Sequence, residues 1–236
     1  MRLQKGLIPL IFLSLLIFLL SCKNENREQN EIEMQETARD TLNTTTDTAR
    51  VAVRTFTGDI SPINSELNGD SEVSGKVELR VEGDLMRIAV TAEGLAPDMM
   101  HMQHLQTSET AGNTQCPGSN ADANNDGIID VTEVSPSAQG IYMIPLHMGP
   151  SSLELKVDTY PRTNVNGELQ FTRTVSLDSL RQAVGEEYGM QDIDFTRFNY
   201  VIQGVSQQAN IPQTAQTVSG VEMNQSIPIG CARLEE

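Results

Sequence analysis

Tryptophan is absent from this 236-residue chain, and aromatic residues make up only 4% of it. There are three histidines and three cysteines, and 16 Lys and Arg face 32 Asp and Glu, for a net charge of −16. Each shortage excludes something. A chain so poor in cations is not built to hold nucleic acid or anionic lipid by charge, because both are polyanions. No nucleophile elbow, phosphate loop or zinc-protease motif occurs. Carboxylates are plentiful, but their spacing singles out no pair for glycosidase chemistry. There is no internal repeat. The long apolar run near the start, Leu7 to Leu20, is broken only by Ser14 and has 14 residues, short of the roughly 20 that a membrane span needs.

That run follows Arg2 and Lys5 and ends Leu19-Leu20-Ser21-Cys22. A basic start and a short apolar core fit a signal peptide. Its end resembles the lipobox of bacterial lipoproteins, which implies cleavage before Cys22 and lipidation of that residue. The plainer alternative is an uncleaved anchor. Lys23 after the cysteine implies, on the same resemblance, the outer membrane of the cell envelope. Losing Arg2 and Lys5 would take the charge to −16 − 2 = −18. Residues 23–55 are rich in Asn, Glu, Gln, Thr and Asp and read as a disordered tether, with a weak helix at 31–39. Residues 56–236, about 180 in number, suit one domain.

The chemistry is concentrated in residues 122–133, DANNDGIIDVTE. Side-chain oxygens fall at loop positions one, three, five, nine and twelve: Asp122, Asn124, Asp126, Asp130 and Glu133. Gly127 holds position six, where the chain must turn, and Ile128 at seven offers its backbone carbonyl. This is the pattern of an EF-hand calcium loop, whose late Glu closes the cage with two oxygens. Ile129 at position eight should point to the core. Cys116-Pro117-Gly118 before the loop and Pro136 after it oppose flanking helices. The expectation is a lone calcium loop in an irregular connection; the bland alternative is a solvated acidic turn.

The rest alternates as strands do. Residues 76–81 and 85–91 flank the turn Glu82-Gly83-Asp84, with Met86, Ile88 and Val90 on one face. Segments 153–157, 169–175, 198–205 and 227–234 also alternate. One helix is expected at 177–184, capped by Ser176 and ended by Gly185. Short strands between turn-rich loops give a mainly β fold, a sandwich or barrel with one short helix and a long loop. With Cys22 lipidated, Cys116 and Cys231 remain. In an oxidising compartment they are expected to pair, the alternative being two buried thiols.

Gly94-Leu-Ala-Pro97, Met100-His-Met-Gln-His-Leu-Gln106, Ala111-Gly112 and Cys116 resemble the metal-binding segment of copper/zinc superoxide dismutases and the related chordin-type (CHRD) domains. Phe198–Val205 resembles their later strand, and Ile229-Gly-Cys-Ala232 could supply the C-terminal half of their disulfide. The resemblance spans roughly residues 73–234 and implies a Greek-key β-barrel or sandwich. Those enzymes carry a His-x-His pair on one strand face. Here the pair reads His104-Leu105-Gln106, and the later histidine is Gln203. Gln is a poor ligand for copper or zinc, so the resemblance implies a domain without dismutase activity. His101 and His104, three apart, face opposite ways on a regular strand. Met99, Met100, Met102 and Met148 lie near His101 and His147 in sequence. Thioether plus imidazole suits Cu(I), though Met also fills gaps in aromatic-poor cores.

Two functions therefore stand as expectations. The first is a non-enzymatic, calcium-binding envelope lipoprotein whose domain binds a ligand at or outside the membrane. The alternative is a copper-handling protein or metalloenzyme using His101, His104 and His147.

Overall fold

The computed structural model describes residues 52–69, 71–107, 115–134 and 142–236. The signal segment 1–22 with Cys22, nearly all of the tether, the weak helix at 31–39 and the pair Ala111-Gly112 lie outside the described residues.

Among the described residues, eight strands form one antiparallel sheet: β1 (Val53–Pro62), β2 (Ser74–Glu82), β3 (Leu85–Glu93), β4 (Met102–Thr107), β5 (Tyr142–Pro145), β6 (Leu169–Ser176), β7 (Asn199–Gln203) and β8 (Pro228–Arg233). Their spatial order is β5-β4-β7-β8-β1-β2-β3-β6. β1 is the hinge between two halves. It pairs along its length with β2, and its end, at Ser61 and Pro62, pairs with Cys231 and Gly230 of β8. The chain crosses from one half to the other between β3 and β4, returns at β6, and crosses again to β7. Such crossings are those of a Greek key.

The hairpin β2–β3 follows its alternation. Gly83 takes φ 60° in the turn, and Val77 and Leu79 sit opposite Val90 and Ile88, all essentially buried. They share one apolar cluster with Phe56 of β1, Phe171 of β6, Leu105 of β4, Tyr200 and Ile202 of β7 and Ile229 of β8. Residues from both halves therefore line a single core, which requires the sheet to curl upon itself.

A helix closes the gap between the sheet's two edge strands. α1 (Leu177–Tyr188) follows β6 directly and buries Leu177, Leu180 and Val184. Ser176 caps it by accepting from the Ser179 amide, as expected of an N-cap serine. The Asp84 carboxylate accepts from Ser176 Oγ and the Asp178 amide. At the other end the Tyr188 hydroxyl donates to the Met143 carbonyl and accepts from its amide. One side chain thus occupies both backbone groups of Met143, which lie on the open edge of β5.

Several expectations need correction. α1 runs past Gly185 and ends at Gly189, which takes φ 69° and donates to the Gly185 carbonyl. A single glycine mid-helix costs only about 1 kcal/mol, so Gly185 does not stop it. The mainly β fold with one short helix stands as expected; the only α-helical addition among the described residues is a single four-residue turn, α2 (Met223–Ser226), before β8. Residues 153–157 are not a strand. Leu153 turns to φ 53° closing the 3₁₀ turn Pro150–Ser152, and Leu155 is exposed. β1 begins at Val53, inside the segment expected as tether.

Candidate metal centre

The loop 122–133 lies against the outer side of β7 and β8. Ile129 and Val134 pack with Ile63, Val201 and Cys231, and Cys116 and Ala121 lean on the same patch. Ile128 enters the main core. Its two isoleucines thus face opposite sides of the loop and anchor it in both. Cys116 is bonded to Cys231 with Cα atoms 5.7 Å apart, within the range natural disulfides use. Thus the entry to the loop is tied to β8.

Within the loop the expected ligand residues hold the loop's own amides. Asp122 accepts from the amides of Asp126 and Gly127 at 3.1 and 3.0 Å. Asn124 Oδ1 accepts from the Asp126 amide at 2.8 Å, and Asp126 Oδ1 from the Ile128 amide at 3.1 Å. Gly127 has φ 93° and nothing stands where its Cβ would be; its backbone, rather than crowding, calls for glycine. Glu133 reaches across the loop. Its Oε1 accepts from the Ala123 amide at 2.8 Å and the Asn124 amide at 3.3 Å, and its Oε2 from the Asp130 amide at 3.0 Å. Asp130 is buried; its carboxylate accepts from Thr132 on one oxygen and from the Gln216 amide on the other.

Among the described residues, no three His, Cys, Asp or Glu side chains stand close enough to grip a metal ion as placed. The donor chemistry nonetheless fits calcium. The loop offers four carboxylates and an amide oxygen, all hard ligands, arranged around one turn. Their present partners are amides and the Thr132 hydroxyl of the same loop, with two donors from a second segment. Thr214 Oγ1 donates to Asp126 Oδ2, and this bond is the main reason the Asp126 carboxyl titrates below its ordinary range.

Composition did not point to Thr214, Gln216 or Asn64. Asn64 is buried and adopts φ 53°. Its Nδ2 donates to the Ile129 carbonyl at 2.8 Å and the Pro228 carbonyl at 2.9 Å, and its Oδ1 accepts from the Ile129 amide at 2.8 Å.

The three histidines do not form a group. His101 is sealed between two carbonyls, its Nδ1 3.1 Å from Gln203 O and its Nε2 3.0 Å from Ala96 O. Burial lowers its pKa, and the two carbonyls partly oppose this. His104, on the outer face of β4, has Nε2 3.1 Å from Gln106 Oε1, and burial lowers its pKa to about 4. His147 accepts from the Gly149 amide at Nδ1 and donates from Nε2 to the Glu154 carbonyl. Its ring meets Tyr160 edge-on, with centroids 5.2 Å apart. Met102 packs with Tyr160 and Val221, with Met100 beside them, while Met148 is exposed. Gln106 sits opposite Asn199 on neighbouring strands. Among the described residues Gln106 Nε2, both Asn199 amide atoms and Gln203 Oε1 are buried without a hydrogen-bond partner.

No family model matches the chain, and no curated protein matches it. Among solved structures, a point mutant of the SOD-like protein from Bacillus subtilis is similar over 76% of this chain and 97% of that one. The identity is 10% and the TM-score 0.39. A superposition that loose carries no argument, and the β fold rests on the strand order and register above.

Proposed function

We propose that this chain is a calcium-binding lipoprotein of the bacterial envelope, with a non-catalytic β domain of the chordin and dismutase kind held to the outer membrane through Cys22. The observation that carries the calcium reading is Glu133. Its two carboxylate oxygens engage amides at opposite ends of the loop, Ala123 and Asn124 on one side and Asp130 on the other. A twelfth-position glutamate that spans the loop is what bidentate closure of a calcium site requires. Asp122, Asn124, Asp126, Asp130 and Glu133 would hold the ion through side-chain oxygens and Ile128 through its carbonyl. The bound ion supplies positive charge that offsets four carboxylates crowded into twelve residues. The chain's part is to fix the loop on the sheet through Ile128, Ile129, Val134 and the disulfide.

The test is metal analysis and calorimetric titration of the full oxidised chain, beside Glu133→Ala. One calcium per chain is expected, with no stoichiometric copper or zinc. Glu133→Ala should weaken binding at least about tenfold, the loss of a charged ligand. Equal binding by the variant, or copper in place of calcium, refutes the reading.

A further inference from the structure

Calcium loops of this type ordinarily lie between two helices, which hold their ends. Here Pro117, Gly118 and Pro136 stand at the flanks, and the described part of the loop is followed by no helix up to Val134. Ile128, Ile129 and Val134 press the later half of the loop onto the sheet, but non-directional packing does not set the rotation of its peptide planes. The disulfide holds only the entry, six residues before Asp122.

We infer that Asn64 is the positioning residue of the calcium loop. It rests on the calcium reading above. Its carboxamide meets both the amide and the carbonyl of Ile129, each at 2.8 Å, as a neighbouring strand would. Ile129 lies directly between Ile128, the carbonyl ligand, and Asp130, the ninth-position ligand. Holding both polar groups of that one residue fixes the two peptide planes that orient those ligands. The second Nδ2 hydrogen goes to the Pro228 carbonyl at the start of β8, so the anchor is itself fixed to the sheet. Both donors and the oxygen of this buried amide are engaged, each on a different backbone group, which leaves the side chain one orientation. Its backbone at φ 53° is a conformation that Asn tolerates better than most residues.

The substitutions separate anchoring from folding. Asn64→Gly accepts the positive φ and removes the carboxamide. Asn64→Asp keeps the shape and an acceptor for the Ile129 amide but loses both donated bonds. Calcium titration of the full oxidised chain should show Kd raised about tenfold or more in Asn64→Gly, with Asn64→Asp between it and wild type. Terbium, as a luminescent substitute for calcium, should report more inner-sphere water in Asn64→Gly through a shorter emission lifetime in water relative to heavy water. Hydrogen exchange should accelerate at Ile129 while the amides of Val77 and Ile88 in the hairpin stay protected. Wild-type binding with unchanged Kd and terbium lifetime in both variants overturns the role of Asn64 and leaves the calcium reading standing. Equal loss of protection at Val77 and Ile88 makes Asn64 a general fold residue and also overturns it. Absence of calcium and terbium binding in the wild type overturns both readings together.

Discussion

His104 offers a prediction whose sign and size follow from burial. It is almost fully buried on β4, and removal from water lowers its pKa to about 4 against a reference of 6.5. Between those values the unfolded chain binds a proton that the folded chain refuses. Stability therefore rises with pH through this window and is lost as pH falls from 6.5 toward 4. Each pH unit corresponds to about 1.4 kcal/mol, so the window spans on the order of 3 kcal/mol from this one side chain. Carboxylates also protonate near its lower end, so the contribution must be read as a difference. Urea unfolding of wild type and His104→Gln at half-unit steps from pH 7 to 4.5 supplies it. Gln keeps a donor for Gln106 but cannot titrate. The wild-type stability should fall more steeply than the variant's, by up to about 1.4 kcal/mol per unit below pH 6. Parallel curves would refute the reasoning. So would an imidazole resonance of His104 titrating near 6.5, since that requires a solvated ring.

The remaining predictions concern the cross-link, calcium removal, the helix closure and the anchor. Replacing both Cys116 and Cys231 by Ala should lower stability by about 4–5 kcal/mol on the chain-entropy estimate for a loop of this length. Removing calcium at about 1 mM from a site with Kd of 0.1–1 mM should cost roughly 0.4–1.4 kcal/mol. Thermal unfolding of the oxidised protein should therefore survive a chelator, and a chelator that unfolds it outright contradicts this ranking. Tyr188→Phe deletes both bonds to Met143 of β5 and should cost about 1–2 kcal/mol, with faster amide exchange at Met143; protection equal to wild type would show that the hydroxyl does not hold the edge. Cys22→Ala should leave an unprocessed precursor that takes up no fatty-acid probe, and normal processing with labelling would remove the lipoprotein reading.

How far the sequence could be read depended on whether each strand has one wet face. β2 and β3 do, and their alternation located them to within two residues at each end. β4 and β7 are buried on both faces, because the core lies under one side and the long loops over the other. With polar residues pulled inward on the covered side, β4 shows no alternation between apolar and polar. His104 and Gln106 are there for the loop side, and Gln103 on the core side is satisfied by the Tyr200 hydroxyl and the Leu146 carbonyl. Only resemblance suggested a strand at β4. Residues 153–157 fail in the opposite sense. They alternate, yet Leu153 lies in a left-handed turn and Leu155 remains in water, so the pattern had no sheet to serve.

The loop separates in the same way into what is local and what is not. Its ligand spacing, its glycine and the inward Ile129 are all set within twelve residues, so a linear reading reaches them. What holds the loop still is distant in sequence. Cys231 lies 115 residues from Cys116, and Asn64 lies 65 from Ile129. A cysteine declares its partner because few cysteines remain to choose from. An asparagine does not: nothing about Asn64 in sequence differs from the other asparagines of a polar chain. Its one local sign, the backbone at φ 53°, exists only after folding. The proposed ligands of such a loop can thus be read from order alone, whereas its stiffness belongs to residues that the turn after β1 and β8 bring to it.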